Sequence, residues 1–148
     1  MPAWITIVVA DLNEARVAEL ITALREEALG IGQPDPLPGI ITKVVDEVRS
    51  CIGFCASTVL DIDAAKVPAN LKDMVVQKIV RTMKGRLLQP LSDDETKEEA
   101  VYQSRLKLLT QCEWPVDKTD TPIATTTTQA PTATPRITPR CIERQSHL

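Results

Sequence analysis

The residues able to do chemistry in this chain are few and poorly placed for it. Nucleophilic catalysis needs a Ser, Cys or Lys beside a base, and the single histidine, His147, stands next to the last residue of a polar stretch. Cys51 and Cys55 are four apart, a spacing that puts both sulfurs on one side of a helix end. A structural zinc site wants four ligands, so these two read as buried free thiols. Asp61 and Asp63 have the alternation of a hard-cation loop but lack its glycine and closing glutamate, and read as solvated turn carboxylates. Gly30 and Gly32 are followed by no Lys-Ser/Thr pair, which excludes a phosphate loop. The pairs Asp93-Asp94 and Glu98-Glu99 fall at helix-start and solvent positions, where capping and solubility explain them. The expectation is a protein with no catalytic residues, no metal and no cofactor.

What remains is a charge pattern. Between Val67 and Leu87 the apolar residues Leu71, Met74, Val75, Ile79, Val80 and Met83 recur at helical spacing over more than half of a helix circumference, so several neighbours must cover them. Lys72, Lys78, Arg81, Lys84 and Arg86 fill the remaining face, opposed there only by Asp73. A central helix, opened by Pro68 and closed by Gly85, thus carries a cationic stripe in a chain of net charge −3.

Three further helices position it. Asp11 and Glu14 form a capping-box-like pair ahead of Val17, Leu20, Ile21, Leu24 and Ala28, with Gly30 as the left-handed stop. After a loop of three prolines and three glycines from Gly30 to Gly39, a second helix runs from about Gly39 to Ile52 with Ile41, Val44, Val45, Val48 and Ile52 inward, and Gly53 ends it. Ser92 with Glu95 caps a fourth, whose inner face is Val101, Tyr102, Leu106, Leu108, Leu109 and Cys112, and Trp114-Pro115 stops it. Ile5 to Val9 is β-branched and short, an edge strand or an extended arm.

Scarce aromatics leave Ile, Val, Leu, Ala and Met to build a core of about 115 residues, which favours a small helical bundle. The acidic balance argues against general nucleic-acid affinity. Four cysteines without dense spacing, a start without a basic leader and apolar runs far shorter than a membrane span point to a reduced intracellular site. From Asp117 to Leu148 the composition shifts to nine threonines and four prolines, from which no core can be built. Extended, that stretch reaches on the order of 100 Å. Its docking anchors would be Arg136, Ile137, Arg140, Ile142, Arg144 and Leu148, and from Thr121 on it carries net +2 against −5 for the rest. The expected organisation is all-α: an N-terminal arm (1–10), a four-helix bundle-like body (11–116) and an extended C-terminal arm (117–148).

The order and spacing of these features, namely a Val-Pro-x-x-Leu-Lys lead-in (Val67, Pro68, Leu71, Lys72), the apolar-basic helix and an acidic-capped helix ending in Trp-Pro, resemble the head-to-tail connector, or adaptor, proteins of long-tailed bacteriophages over roughly residues 5 to 120. The resemblance implies a small helical protomer of the virion, assembled in the host cytoplasm as a ring, usually of twelve copies. Such a ring lies beneath the portal protein, continues the DNA channel and offers a platform to a neck or tail-completion protein. On that reading Lys72, Lys78, Arg81, Lys84 and Arg86 meet Glu26, Glu27, Glu98 and Glu99 of the next subunit. An alternative of another class is a small DNA-binding or regulatory protein that reads DNA with the basic helix 71–86.

Overall fold

The computed structural model of the chain describes residues 1–12 and 15–124, residues 15 and 16 by their backbone alone. Four helices dominate: α1 (Ala15–Gly30), α2 (Leu37–Gly53), α3 (Lys72–Arg86) and α4 (Asp93–Thr110). Two short strands, β1 (Trp4–Thr6) and β2 (Lys66–Pro68), pair antiparallel with Trp4 opposite Pro68. α2 packs on α3 and α4, and α3 also packs on α1, so the apolar stripe read between Leu71 and Met83 finds the several partners it requires. Leu71, Met74, Val75, Ile79 and Met83 are buried and Val80 is half-buried. In α2 the buried set is Leu37, Ile40, Val44, Val45, Val48, Arg49 and Ile52, while Ile41 is half-buried.

The helix ends follow local chemistry. Pro38 occupies the first turn of α2, where a missing N–H costs nothing, and the Asp35 carboxylate accepts the Leu37 N–H at 3.0 Å. Ser92 and Glu95 form the complete capping box of α4: the Ser92 hydroxyl accepts the Glu95 N–H at 3.2 Å and the Glu95 carboxylate accepts the Ser92 N–H at 2.8 Å. At the start of the first helix the carboxylate of Asp11 accepts the Val8 N–H at 2.9 Å from within a 3-10 helix, Val9–Leu12. Glu14 lies outside the described residues. Three helices close with a left-handed residue one position beyond the cap, and it is neither Gly30 nor Gly85. Gly32 (φ 72°), Leu88 (φ 54°) and Cys112 (φ 61°) take it, because closure requires that position to turn the next N–H back to the carbonyls of Ala28, Lys84 and Leu108. Leu88 and Cys112 adopt a conformation that favours glycine, at the cost usual for a side chain there.

Several expectations change. Val67 and Pro68 belong to β2, and residues Ala69–Leu71 form a 3-10 turn, so the central helix starts at Lys72. The N-terminal segment is an edge strand of its own body, with Trp4 and Ile7 in the core, and not an arm. Val101 is exposed, since α4 turns that face outward, and Leu108 is only half-buried. Cys55 and Cys112 form a disulfide where free thiols were expected: the ends of α2 and α4 bring their Cα atoms to 5.4 Å across a sequence separation of 57. Cys51 is free and half-buried, and its thiol is pushed up by burial and by Glu47. Cys141 and His147 lie outside the described residues.

Residues 114–123 also belong to the body. The Trp4 indole N–H donates to the Asp117 carbonyl at 2.8 Å, Asn70 donates to the Pro115 carbonyl at 3.0 Å, and the Ile123 N–H reaches the Leu60 carbonyl at 3.0 Å. The expected C-terminal arm therefore loses its first residues to this clasp, and its anchors Arg136, Ile137, Arg140, Ile142, Arg144 and Leu148 lie outside the described residues.

Candidate interaction surfaces

Five cations were expected to form an outward stripe, and acids of the same chain hold four of them. The Lys72 Nζ meets Asp11 at 2.6 Å, Lys78 meets Glu99 at 2.6 Å, and Arg81 reaches Glu99 at 2.9 Å and Glu98 at 3.2 Å. Lys84 pairs with Glu95. The expected pairing of these cations with a neighbouring subunit's Glu98 and Glu99 gives way for the same reason: both carboxylates are engaged between α3 and α4 in their own chain. Arg86, Glu26 and Glu27 are exposed and have no ion-pair partner among the described residues.

The network is built on Tyr102. Its ring is buried under α3, with the Lys78 ammonium 4.9 Å and the Arg81 guanidinium 5.8 Å from its centroid, and its hydroxyl donates to Glu47 of α2 at 2.9 Å. Burial and the neighbouring Glu47 carboxylate push the Tyr102 hydroxyl far above its ordinary range, so it stays a donor. Arg81 is 5 % exposed. A guanidinium that deep requires charged partners, which Glu98 and Glu99 supply. Burial pushes the Glu99 carboxyl up, but hydrogen bonds from Lys78, Gln103 and Arg81 outweigh it and hold the group down at about 2. Lys84 and the Ser92 N–H likewise hold Glu95 below its usual range, and Lys72 holds Asp11 below its own. Arg81 is thus turned inward, away from any duplex that helix α3 would have to read.

A second polar cluster lies beside the C-terminal end of α2. Asp61, expected as a solvated turn carboxylate, is 1 % exposed. Burial raises its carboxyl, while the Thr119 and Thr121 hydroxyls and the Asp63 N–H hold it down at about 2. Beside it Arg49, 8 % exposed, donates to the carbonyls of Asp61 and Lys66, each at 2.7 Å, and lies 5.5 Å from the centroid of the Trp4 ring. Arg49 did not stand out in the sequence and Arg81 stood out as an outward cation, because the burial of each is defined by partners on other elements. The Arg49 carbonyls leave no signal in residue type, whereas the recurrence of Glu95, Glu98 and Glu99 against Lys78, Arg81 and Lys84 was visible as charge complementarity without its address.

Three surface features remain open. Between α1 and α3 runs a groove of about 770 Å³, floored by Leu20, Ala23, Val76 and Val80 and closed at one end by Glu95 and Glu98 of α4. Exposed apolar side chains gather at two further places. Leu29 and Ile31 stand where α1 hands over to α2, and Phe54, Val59, Ile62 and Ile123 stand around the far end of α2. Among the described residues no group of three or more His, Cys, Asp or Glu side chains is placed to hold a metal ion, and no helix is long and apolar enough to cross a membrane. The chain matches no protein-family model, no curated protein and no solved structure.

Proposed function

We propose that this chain is a structural virion protein, a head-to-tail adaptor whose copies form a ring, twelve as the resemblance implies, between a portal protein and a neck or tail-completion protein. The observation that carries this reading is the pair of exposed apolar patches at opposite ends of α2. They are separated by the length of a 17-residue helix, roughly 25 Å. An adaptor has to meet one partner above and a different one below, and two dissimilar patches on opposite ends suit heterologous contacts. The compact, bundle-like packing of four helices between them makes a rigid spacer. The inward pairing of Lys78, Arg81 and Lys84 leaves acidic groups, Glu26 and Glu27 among them, at the surface, which suits a channel through which DNA slides without sticking. The same pairing weighs against a recognition helix at 71–86. A protomer made in a reducing cytoplasm carries Cys55 and Cys112 as thiols, and the disulfide closes once the particle is outside.

Native mass measurement and negative-stain imaging of the purified full chain, with and without a portal protein, test this. The expected result is a ring, alone or on the portal, whose docking on one partner is lost in Phe54→Asp and Ile62→Asp. A monomer that ignores the portal and shifts DNA overturns it.

A further inference from the structure

The groove between α1 and α3 has a floor, a charge and, within the same chain, a segment that matches both. Its floor is apolar but incompletely covered: Leu20, Ala23, Val76 and Val80 are all half-buried, although they belong to the core-facing stripes of their helices. Its lining holds four carboxylates, Glu19, Asp73, Glu95 and Glu98, against the two cations Arg81 and Lys84, both already paired with acids of α4. The groove is therefore apolar at its base and acidic by two charges at its rim. Its volume of about 770 Å³ lies in the range of clefts that hold a ligand.

The 24 residues after Ala124 carry Arg136, Arg140 and Arg144 against the single acid Glu143, with Ile137 and Ile142 set between the arginines. This is a cationic, apolar-studded peptide, the complement of the groove in both respects. Reach is available as well. Residue 123 is fastened to Leu60, and eleven residues, 125–135, separate the last described residue from Arg136. Extended at about 3.3 Å each, they span roughly 36 Å. The path along the body is of the same order. Asp61 is linked through Arg49 to Lys66 of β2, β2 leads within a few residues into α3, and Val80 lies about 12 Å along α3 from Lys72 at the helical rise.

We propose that the α1–α3 groove is the docking site of the chain's own segment Arg136–Arg144, with Ile137 and Ile142 on the floor of Leu20, Ala23, Val76 and Val80 and the arginines at the rim acids Glu19 and Asp73, unpaired among the described residues. The tether makes the contact intramolecular, at the millimolar effective concentration of a short linker, so weak surface pairs suffice to populate it. The proposal does not rest on the adaptor reading: a chain that forms no ring has the same groove and the same segment. If the adaptor reading does hold, a portal or tail protein that takes the segment must first displace it from the groove.

Cys141, inside the segment, supplies the probe. In the full chain with Cys51→Ser, a cysteine is introduced at the groove by Ala23→Cys or, as a control on an exposed face of α4, by Ser104→Cys, and crosslinking to Cys141 with a short bismaleimide is followed at micromolar protein. The groove site should give crosslinked monomer about tenfold faster than the control, the advantage that docking adds to a shared tether. Reversal of the three arginines to Glu should slow it about fivefold, as the loss of a few surface pairs predicts, and adding Glu19→Lys with Asp73→Lys should restore it. Equal rates at Ala23→Cys and Ser104→Cys, or a groove rate indifferent to arginine reversal, overturns the proposal. Crosslinked dimers in place of monomers overturn the intramolecular assignment. Circular dichroism of each variant separates these outcomes from misfolding.

Discussion

Arg49 and Arg81 are both buried, both lie over a buried aromatic ring, and both are fully bonded, yet they hold the molecule in different ways. Arg49 spends its donors on neutral backbone carbonyls of the chain after α2, so it fixes the path of a loop and the strand that follows it. Arg81 spends its donors on carboxylates of a neighbouring helix, so it fixes the register of α4 on α3. The first arrangement has no spare partner: remove the guanidinium and the carbonyls of Asp61 and Lys66 are left dry. The second is redundant, because Lys78 still reaches Glu99 at 2.6 Å and Glu98 is close to half-exposed. A buried cation bonded to backbone is therefore expected to be less replaceable than one bonded to acids that have other company.

The largest effect that would test this contrast is Arg49→Met, which preserves bulk over Trp4 but orphans two buried carbonyls. A loss of about 3 kcal/mol is expected in urea denaturation followed by Trp fluorescence. Arg81→Met keeps the apolar contact with Tyr102 and should cost only about 1 kcal/mol, since neither carboxylate is left stranded: Glu99 keeps Lys78 and Glu98 reaches water. Equal losses would break the contrast. The smallest effect is in pH. Glu99 and Asp61 are both held at about 2, below the 4.5 and 3.8 of the free groups, so the stability they add is present above those values and drains as pH falls toward 2. Glu99→Gln should flatten the fall of the unfolding free energy in urea between pH 5 and pH 2.5 by on the order of 1 kcal/mol after solvent screening. Asp61→Asn should flatten it on the Arg49 side in the same window, and slopes unchanged from the parent in both variants would sink the assignment.

The helices were legible because periodicity is local: Val44, Val45, Val48 and Ile52 declare one face without reference to anything else, and Ser92 with Glu95 declares a cap within four residues. What escaped the sequence depends on closure at a distance. Gly30 and Gly85 look like stops, yet the left-handed residue is set by where the following N–H must turn, and that falls on Gly32 and Leu88. Val67 looks like the lead-in to a helix until Ile5 arrives to pair with it from across the chain. The cationic stripe was visible, but its direction was not, because Glu95, Glu98 and Glu99 sit on another helix whose rotation only packing decides. Cys55 with Cys112 was one of six possible pairs among four thiols, and only the meeting of two helix ends selects it.

The meeting of Ala3 and Trp4 with Asp120 and Asp117 has a bearing on how the chain is made. These bonds join residues 117 and 113 positions apart, so although β1 can pair with β2 once residue 68 is made, Ala3 and Trp4 complete their contacts only when the far end of the body is at hand. A chain emerging from the ribosome thus leaves the contacts of Ala3 and Trp4 incomplete until late in its synthesis, while the locally encoded helices form. Trp4, 2 % exposed in the finished fold, gains its Asp117 bond only at that stage, so its fluorescence reports when the C-terminal clasp closes.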